Sequence, residues 1–178
     1  PKTPWKDFKS LIADSKANPA KFTVGASLGS TRQFFPAMIE KATGVKWRYV
    51  PYDGTAKRMN ALLGGHVDIA ESNMTQKGKV DAGEMKFLAY AWDKRNPDMP
   101  DLPTLKELGI DIVYALNRGL VAPKGTPPDV MAKLESACAT AAKDPAFADA
   151  MKLQGTVVQF RDGKGYAEQE KDVLLGVP

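Results

Sequence analysis

Three polar segments stand where predicted strands end and helices begin, and they hold residue types that bind an anion. The first is the loop Ser27-Leu28-Gly29-Ser30-Thr31. Gly29 lets a ligand approach the backbone closely, and the neighbouring residues supply hydroxyl groups. The helix that follows offers unpaired N–H groups and the positive end of its dipole, which favour a carboxylate or a phosphate. The segment is not a Walker loop, because no Gly-Lys-Ser/Thr follows. An ordinary helix cap and turn accounts for the same residues.

The other two segments repeat the pattern. Tyr52-Asp53-Gly54-Thr55 offers backbone N–H groups, although the Asp53 carboxylate itself repels an anion. Ser72 and Asn73 follow the next predicted strand, and Arg118 could clamp a carboxylate through two N–H···O bonds. For these residues, as for Arg32 at the start of the second helix, the alternative is a turn, a cap or a surface position. The candidate ligand-binding residues are Ser27, Gly29, Ser30, Thr31, Tyr52, Gly54, Thr55, Ser72, Asn73 and Arg118.

Other chemistries find little support in the sequence. The single histidine, His66, precedes a predicted strand, whereas ligands of such sheets gather at the opposite strand ends. The single cysteine, Cys138, falls on the apolar stripe of a predicted helix and excludes an internal disulfide. We therefore predict no catalytic residue, no metal site and no cofactor. An enzyme using Asp53 or Asp68 with His66 is an alternative from a different class.

Composition indicates a globular chain. Of 178 residues, 43% are hydrophobic and 26% are charged, so the chain can bury a core. The net charge of +4 is spread over alternating acidic and basic residues without a basic run, which argues against a nucleic-acid partner. No run of eighteen apolar residues or basic-then-apolar leader occurs, and the chain begins with Pro1 rather than Met, which suggests a processed or excised piece.

Hydrophobic periodicity predicts alternating strands and helices. Such alternation favours an α/β layered sheet with ligands outside the carboxyl ends of its strands, where the three polar loops stand. The predicted strands are Lys21–Ala26, Val45–Tyr52, Val67–Ala70, Met85–Trp92, Ile110–Ala115 and Val157–Phe160. The predicted helices are Thr3–Asn18 with Thr3 as N-cap, one from Ser30 to about Thr43 that Pro36 would kink, Ala56–Leu63, a short polar one ending at Ala82-Gly83, Thr104–Leu108, Pro127–Lys143, one beginning at Asp144-Pro145, and Lys164–Leu175.

An ordered set of short motifs runs along nearly the whole chain. They are Pro4-Trp5-Lys6-Asp7-Phe8-Lys9, Ala17-Asn18-Pro19, Gly29-Ser30-Thr31, Ala42-Thr43-Gly44, Val50-Pro51-Tyr52-Asp53-Gly54, Leu62-Leu63-Gly64-Gly65-His66-Val67-Asp68, Asp101-Leu102-Pro103-Thr104, Arg118-Gly119-Leu120-Val121-Ala122-Pro123-Lys124-Gly125-Thr126-Pro127 and Asp144-Pro145. Each motif is weak alone, but their order is specific. With this set of motifs the chain resembles the periplasmic solute-binding proteins of tripartite tricarboxylate transporters, the Bug family.

The resemblance implies a type II periplasmic binding fold, in which two α/β domains close on a ligand between them. Residues 1–120 would form a near-complete second domain, and residues 121–178 would return to the first as a crossover and C-terminal helical part. The chain would then be a C-terminal fragment or a shortened relative.

The implied function is binding of a small di- or tricarboxylate, or a related organic acid, in the periplasm. The protein would be a non-enzymatic monomer that delivers the ligand to the permease subunits of the transporter by hinge closure. The alternative is a ligand-sensing regulatory domain of the same fold that signals to a partner protein.

Overall fold

The computed structural model of the chain describes residues 3–115 and 117–168. The chain divides into two compact units, unit 1 with Pro1–Ser72 and Gln76–Leu116, and unit 2 with Asn73–Thr75 and Asn117–Pro178. Unit 1 holds the strands β1 (Thr23–Ala26), β2 (Arg48–Pro51) and β3 (Ile69–Ala70) and the helices α1 (Phe8–Ala17), α2 (Thr31–Thr43), α3 (Thr55–Gly64) and α4 (Lys77–Asp81). A 3-10 helix (Met74–Gln76) precedes α4, and unit 2 holds α5 (Pro128–Ala142) and α6 (Pro145–Leu153). Residues 163–168 are helical, and the rest of the predicted last helix lies outside the described residues.

The sheet of unit 1 is parallel, with the strand order β2-β1-β3. The central strand β1 pairs Gly25 with Val50 on one side and with Ala70 on the other. The chain passes from β1 to β2 through α2 and then crosses back to β3 through α3. The strand order therefore reverses between β1 and β3, which is where open α/β sheets bind ligands. The α/β prediction is confirmed.

The first helix starts later than the sequence analysis predicts. Thr3 is not its N-cap, because α1 begins at Phe8 and Asp7 is the N-cap. The Asp7 carboxylate accepts from the Ser10 N–H, and the Ser10 hydroxyl accepts from the Asp7 N–H. This reciprocal capping box satisfies two backbone donors. A cap at Thr3 could not form one, because Lys6, three residues later, has no side-chain acceptor.

The core of unit 1 forms between the sheet and its helices. Trp5 meets Phe22 edge-to-face with ring centroids 4.8 Å apart, and the Trp47 indole N–H donates to the buried Ser15 hydroxyl. Leu105 is 0% exposed. The buried cluster comprises Trp5, Phe8, Leu11, Phe22, Val24, Ile39, Val45, Trp47, Leu105 and Ile112. Burying these side chains is the main stabilising contribution to the unit.

Three predicted strands and one predicted helix are wrong. Residues 85–92 form no strand: Tyr90 makes an isolated parallel bridge with Thr104, and the Ala91 carbonyl accepts from the Tyr114 N–H. Residues 110–115 form no strand either, and the same holds for residues 157–160. Residues 104–108 are a turn rather than a helix. A hydrophobic run becomes a strand only when a neighbour continues its ladder, which periodicity does not reveal.

The two main helices of unit 2 match their predictions closely. Asp144 caps α6 by accepting from the Ala146 N–H, and a proline stands at the first position of each helix. No described residue of this unit is buried. Leu134 of α5 is 43% exposed and Leu153 of α6 is 86% exposed.

Candidate functional site

The carboxyl edge of the sheet in unit 1 brings the predicted loops together. Ser27 follows β1, Tyr52 follows β2 and Glu71 follows β3, and parallel pairing puts these ends at one edge. The Ser27 hydroxyl donates to the Tyr52 carbonyl at 2.8 Å, and the Tyr52 N–H donates to the Ala26 carbonyl at 2.8 Å. The first two loops are thus linked directly.

The loop after β1 leads into the N-terminus of α2. Ser30 is its N-cap, and its hydroxyl accepts from the Arg32 N–H at 3.3 Å and donates to the Ser27 carbonyl at 2.6 Å. Gly29 has φ +70°, a backbone conformation that residues other than glycine rarely adopt. Its N–H donates to Gln33 Oε1 at 2.7 Å. The side-chain oxygen of Gln33 therefore already accepts from the Gly29 N–H, at a residue that the sequence analysis assigns to ligand binding.

The loop after β2 leads into α3 in the same way. Gly54 is the N-cap with φ +85°, and no side chain caps the first turn of this helix. Among the described residues no acceptor is recorded for the N–H groups of Thr31 and Thr55, the first residues of α2 and α3. The edge thus offers two helix N-termini, each with a donor suited to an anion. Asp53 is exposed beside them.

The remaining predicted residues have other surroundings. The Ser72 hydroxyl in unit 1 lies 3.6 Å from the Met59 sulfur, a weak donor–acceptor contact. Asn73 belongs to unit 2, and its side-chain oxygen accepts from the Thr75 N–H and hydroxyl, as in a cap of the 3-10 helix. Arg118, also in unit 2, is exposed. The roles of these three in ligand binding stay predictions.

Charged side chains form a cluster at this edge, of which the sequence analysis considered Arg32 but neither Arg58 nor Glu71. Glu71 Oε2 accepts from Arg32 Nη1 at 2.5 Å and lies 3.4 Å from Arg58 Nη2, and Arg58 Nη1 lies 3.5 Å from the Ser27 hydroxyl. Arg58 is fully buried. Burial lowers the pKa of its guanidinium, and the Arg32 charge lowers it further, whereas Glu71 raises it. Gly25, a glycine inside a strand, was the available signal, because such a glycine marks close approach of another group.

Tyr114 contacts the same edge. Its hydroxyl donates to the Thr31 carbonyl at 2.8 Å, and its ring stacks on Phe35 with centroids 5.2 Å apart. Burial raises the pKa of the Tyr114 hydroxyl, so the group is a neutral donor at neutral pH. Tyr114 thereby fixes the first residue of α2.

The part of the chain that the structure describes holds neither a metal site nor a membrane-spanning helix. No group of three or more His, Cys, Asp or Glu side chains there could hold a metal ion. None of the helices it contains is long and apolar enough to cross a membrane.

A groove of about 400 Å³ lies between α1 and the end of α2, lined by Phe8, Lys9, Ile12, Ala13, Lys16, Ala42, Thr43, Leu108 and Ile110. It lies at the far end of α2 from the loop after β1.

Relatives with curated sequences match most of the chain. The protein in the gbd 5′ region of Cupriavidus necator is 37% identical over 168 residues, which are 93% of this chain and 51% of that protein. Protein BugT of Bordetella pertussis is 30% identical over 159 residues, 87% of this chain and 48% of that protein. The chain thus spans about half the length of these relatives.

Solved structures of solute-binding proteins also resemble this chain over nearly its whole length. A TctC solute binding protein from Polaromonas, crystallised without ligand, superposes with a TM-score of 0.82 at 31% identity and covers 98% of this chain and 61% of that one. An R. palustris protein solved with adipate gives a TM-score of 0.80 at 26% identity, over 98% of this chain and 58% of that one. A sequence model described as the tripartite tricarboxylate transporter family receptor matches residues 1–173. The chain therefore belongs to the family of tripartite tricarboxylate transporter receptors, which are periplasmic solute-binding proteins.

Proposed function

We propose that this chain supplies one wall of a site that binds a small carboxylate and does not transform it. The observation that carries the proposal is the pair of helix N-termini at one sheet edge, where Thr31 and Thr55 offer backbone N–H groups. Such donors hold an anion through hydrogen bonds and the helix dipole, and they need no proton transfer or nucleophile. The structural relative solved with adipate supports a carboxylate ligand.

The wider assignment follows from the family. Residues 1–120 would form the second domain of the receptor, and residues 121–178 would return to the first. Gly29, Ser30 and Gly54 would contribute to this wall with Ser27, Tyr52 and Ser72 of unit 1, and Asn73 and Arg118 of unit 2 would also bind the ligand. The receptor would work in the periplasm, close by a hinge motion around the ligand and present it to the permease subunits of a tripartite transporter.

The test removes one backbone donor at a time. Thr31→Pro and Thr55→Pro delete the N–H at the first position of α2 and α3, where proline is tolerated, as Pro128 and Pro145 are in α5 and α6. The residues before them suit a following proline, since Ser30 and Gly54 have ψ near 169° and 162°. Thr31→Val and Thr55→Val are the matched controls, because they delete the hydroxyl and keep the N–H.

Binding is measured by calorimetry with the protein that carries this chain and a panel of adipate, malate, citrate and benzoate. Each proline variant should weaken binding about 10- to 100-fold, the usual contribution of a hydrogen bond to a charged group. The valine variants should retain the amide contribution. No heat or thermal stabilisation from any acid of the panel would contradict the proposed function.

A further inference from the structure

The charged cluster at the sheet edge is built around the buried side chain of Arg58. The Arg58 side chain packs against Gly25 of β1. A Cβ added at Gly25 would stand 3.0 Å from Arg58 Cγ and 3.3 Å from Val67 Cγ2. The absence of a side chain at residue 25 thus leaves room for Arg58, whose guanidinium lies near Glu71 after β3 and the Ser27 hydroxyl after β1. Its Nε is buried, with no hydrogen-bond partner recorded in the described chain. The fold thus buries the Arg58 guanidinium close to β1 and β3, between which the strand order reverses.

Stability alone does not account for this arrangement. A buried ion pair costs desolvation that its attraction often fails to offset, and apolar replacements are commonly neutral or stabilising. Here two arginines share one oxygen of Glu71, so the three side chains carry a formal charge of +1. An uncompensated positive charge beside two helix N-termini is instead suited to an anion.

The exposure of the three side chains falls into an order. Arg58 is 0% exposed, Glu71 is 18% exposed and Arg32 is 23% exposed. Glu71 thus joins a fixed cation to one that solvent can reach. A guanidinium has five N–H donors, and the recorded side-chain bond of Arg32 uses one nitrogen. Arg32 therefore keeps donors for a further carboxylate.

We propose that Arg58 is a positioning residue that, through Glu71, holds the Arg32 guanidinium at the carboxyl edge to receive the second carboxylate of a dicarboxylate ligand. This inference rests on the proposed function, in which helix N-termini bind the first carboxylate. The amide donors carry only partial charges, so they do not by themselves distinguish a second negative charge from a neutral polar group. The full charge of Arg32 does, through a charge-assisted hydrogen bond.

The experiment compares succinate, glutarate and adipate with their monoamides, which keep length and shape but lose one charge. Calorimetric titrations use the protein that carries this chain. The wild type should bind at least one diacid about tenfold or more tightly than its monoamide. Arg32→Gln should bring that ratio close to one while monoamide affinity changes little. Arg32→Lys should restore part of the preference, because the charge returns without the planar fork.

The positioning role is tested by coupling. Arg58→Lys should lower the diacid-to-monoamide ratio, and it should add nothing in an Arg32→Gln background, because both changes act through the same guanidinium. A purely structural role would weaken both ligands equally and would act in either background. Since Arg58 is buried and its replacement can prevent folding, Gly25→Ala is the second variant. It requires the Arg58 side chain to shift by a few tenths of an ångström, leaves every charge in place, and should also lower the ratio.

The matched control is another Arg–Glu pair of unit 1. Arg95 Nε donates to Glu107 at 2.9 and 3.0 Å, and neither residue belongs to the sheet edge. Glu107→Gln should leave the ratio unchanged, whereas Glu71→Gln should lower it. A wild type that binds acids of the panel but prefers no diacid over its monoamide overturns this inference and leaves the proposed function intact. A wild type that binds no carboxylate overturns both.

Discussion

The two units of the chain form helices equally well but bury their side chains very differently. In unit 1, β1 and its neighbours give α1, α2 and α3 a sheet to pack against, and Leu105 is 0% exposed. In unit 2, α5 and α6 have proline starts, and α6 an aspartate cap, yet no described residue is buried. Local sequence is thus enough to start and end a helix. Burial depends on which other segments the topology brings to its apolar face.

This difference predicts where the stability of the chain resides. Apolar surface removed from water contributes about 25 cal/mol per Å², whereas an isolated helix of fewer than about 15 residues is marginal in water. Unit 1 should therefore unfold cooperatively and at higher denaturant than unit 2. The three tryptophans, Trp5, Trp47 and Trp92, all belong to unit 1, so their fluorescence reports on that unit alone.

The largest expected contrast is in amide hydrogen exchange of the chain. The N–H groups of Arg48, Tyr52 and Asp68 bond across the strands of unit 1. We expect them to exchange on the order of 10³-fold more slowly than the amides of α5, because only the former require global unfolding. Exchange measured by mass spectrometry checks this, and equal protection in both units would contradict it.

The second contrast uses one substitution in each unit. Leu105→Ala should lower the free energy of unfolding by about 2–5 kcal/mol, because it leaves a cavity in the core. Leu134→Ala, on the 43% exposed side chain of α5, should change it by less than about 0.5 kcal/mol. Urea titration followed by tryptophan fluorescence measures the first. Far-UV circular dichroism detects the second, and similar losses from the two variants would mean that α5 packs as a core helix.

A third contrast concerns single hydrogen bonds. Ser15→Ala would leave the buried Trp47 indole N–H without its acceptor, so we expect a loss of about 1–3 kcal/mol. Thr140→Val removes a hydroxyl that donates to the Ser136 carbonyl on the exposed α5, where water replaces it. Its effect should be within about 0.5 kcal/mol. Thermal unfolding of both variants, with near-ultraviolet circular dichroism to follow Trp47, separates the two cases.

The same contrast explains which parts of the fold the sequence predicts. The alternation of Phe22 and Val24 at the start of β1, and the stop and start signals at Asn18-Pro19 and Asp144-Pro145, are local features. Their elements form nearly as predicted. The segments 85–92 and 110–115 are also hydrophobic, but no continuous ladder forms along them, so they are not strands. Pairing depends on residues distant in sequence, which periodicity does not encode.

The candidate site divides along the same line. The loops at Ser27 and Tyr52 were predicted to share one edge because parallel strands require it, and the hydrogen bond between them shows that they do. Arg58 was missed because its position in the sequence reads as one polar residue of an ordinary helix. Its role depends on Gly25, more than thirty residues earlier, and on Glu71 after β3. A constellation assembled from three elements is visible only in three dimensions.

The smallest expected effect lies in the two aspartate caps and depends on pH. Asp7 caps α1 in unit 1, and Asp144 caps α6 in unit 2. The backbone hydrogen bond from Ser10 is the main reason why the pKa of Asp7 lies below its usual value. A carboxyl whose pKa is lower in the folded state stabilises that state above the ordinary aspartate pKa, and it loses this contribution as the pH falls through the folded value.

Asp7→Asn keeps an acceptor oxygen and removes only the charge. Its urea midpoint by tryptophan fluorescence should therefore fall below that of the wild type at pH 7, and the two should converge as the pH falls below the ordinary aspartate pKa. Asp144→Asn should leave that midpoint unchanged at every pH, because Asp144 caps a helix of unit 2 and the three tryptophans belong to unit 1. A gap for Asp7→Asn that stays constant with pH would show that the charge of the Asp7 cap does not stabilise α1.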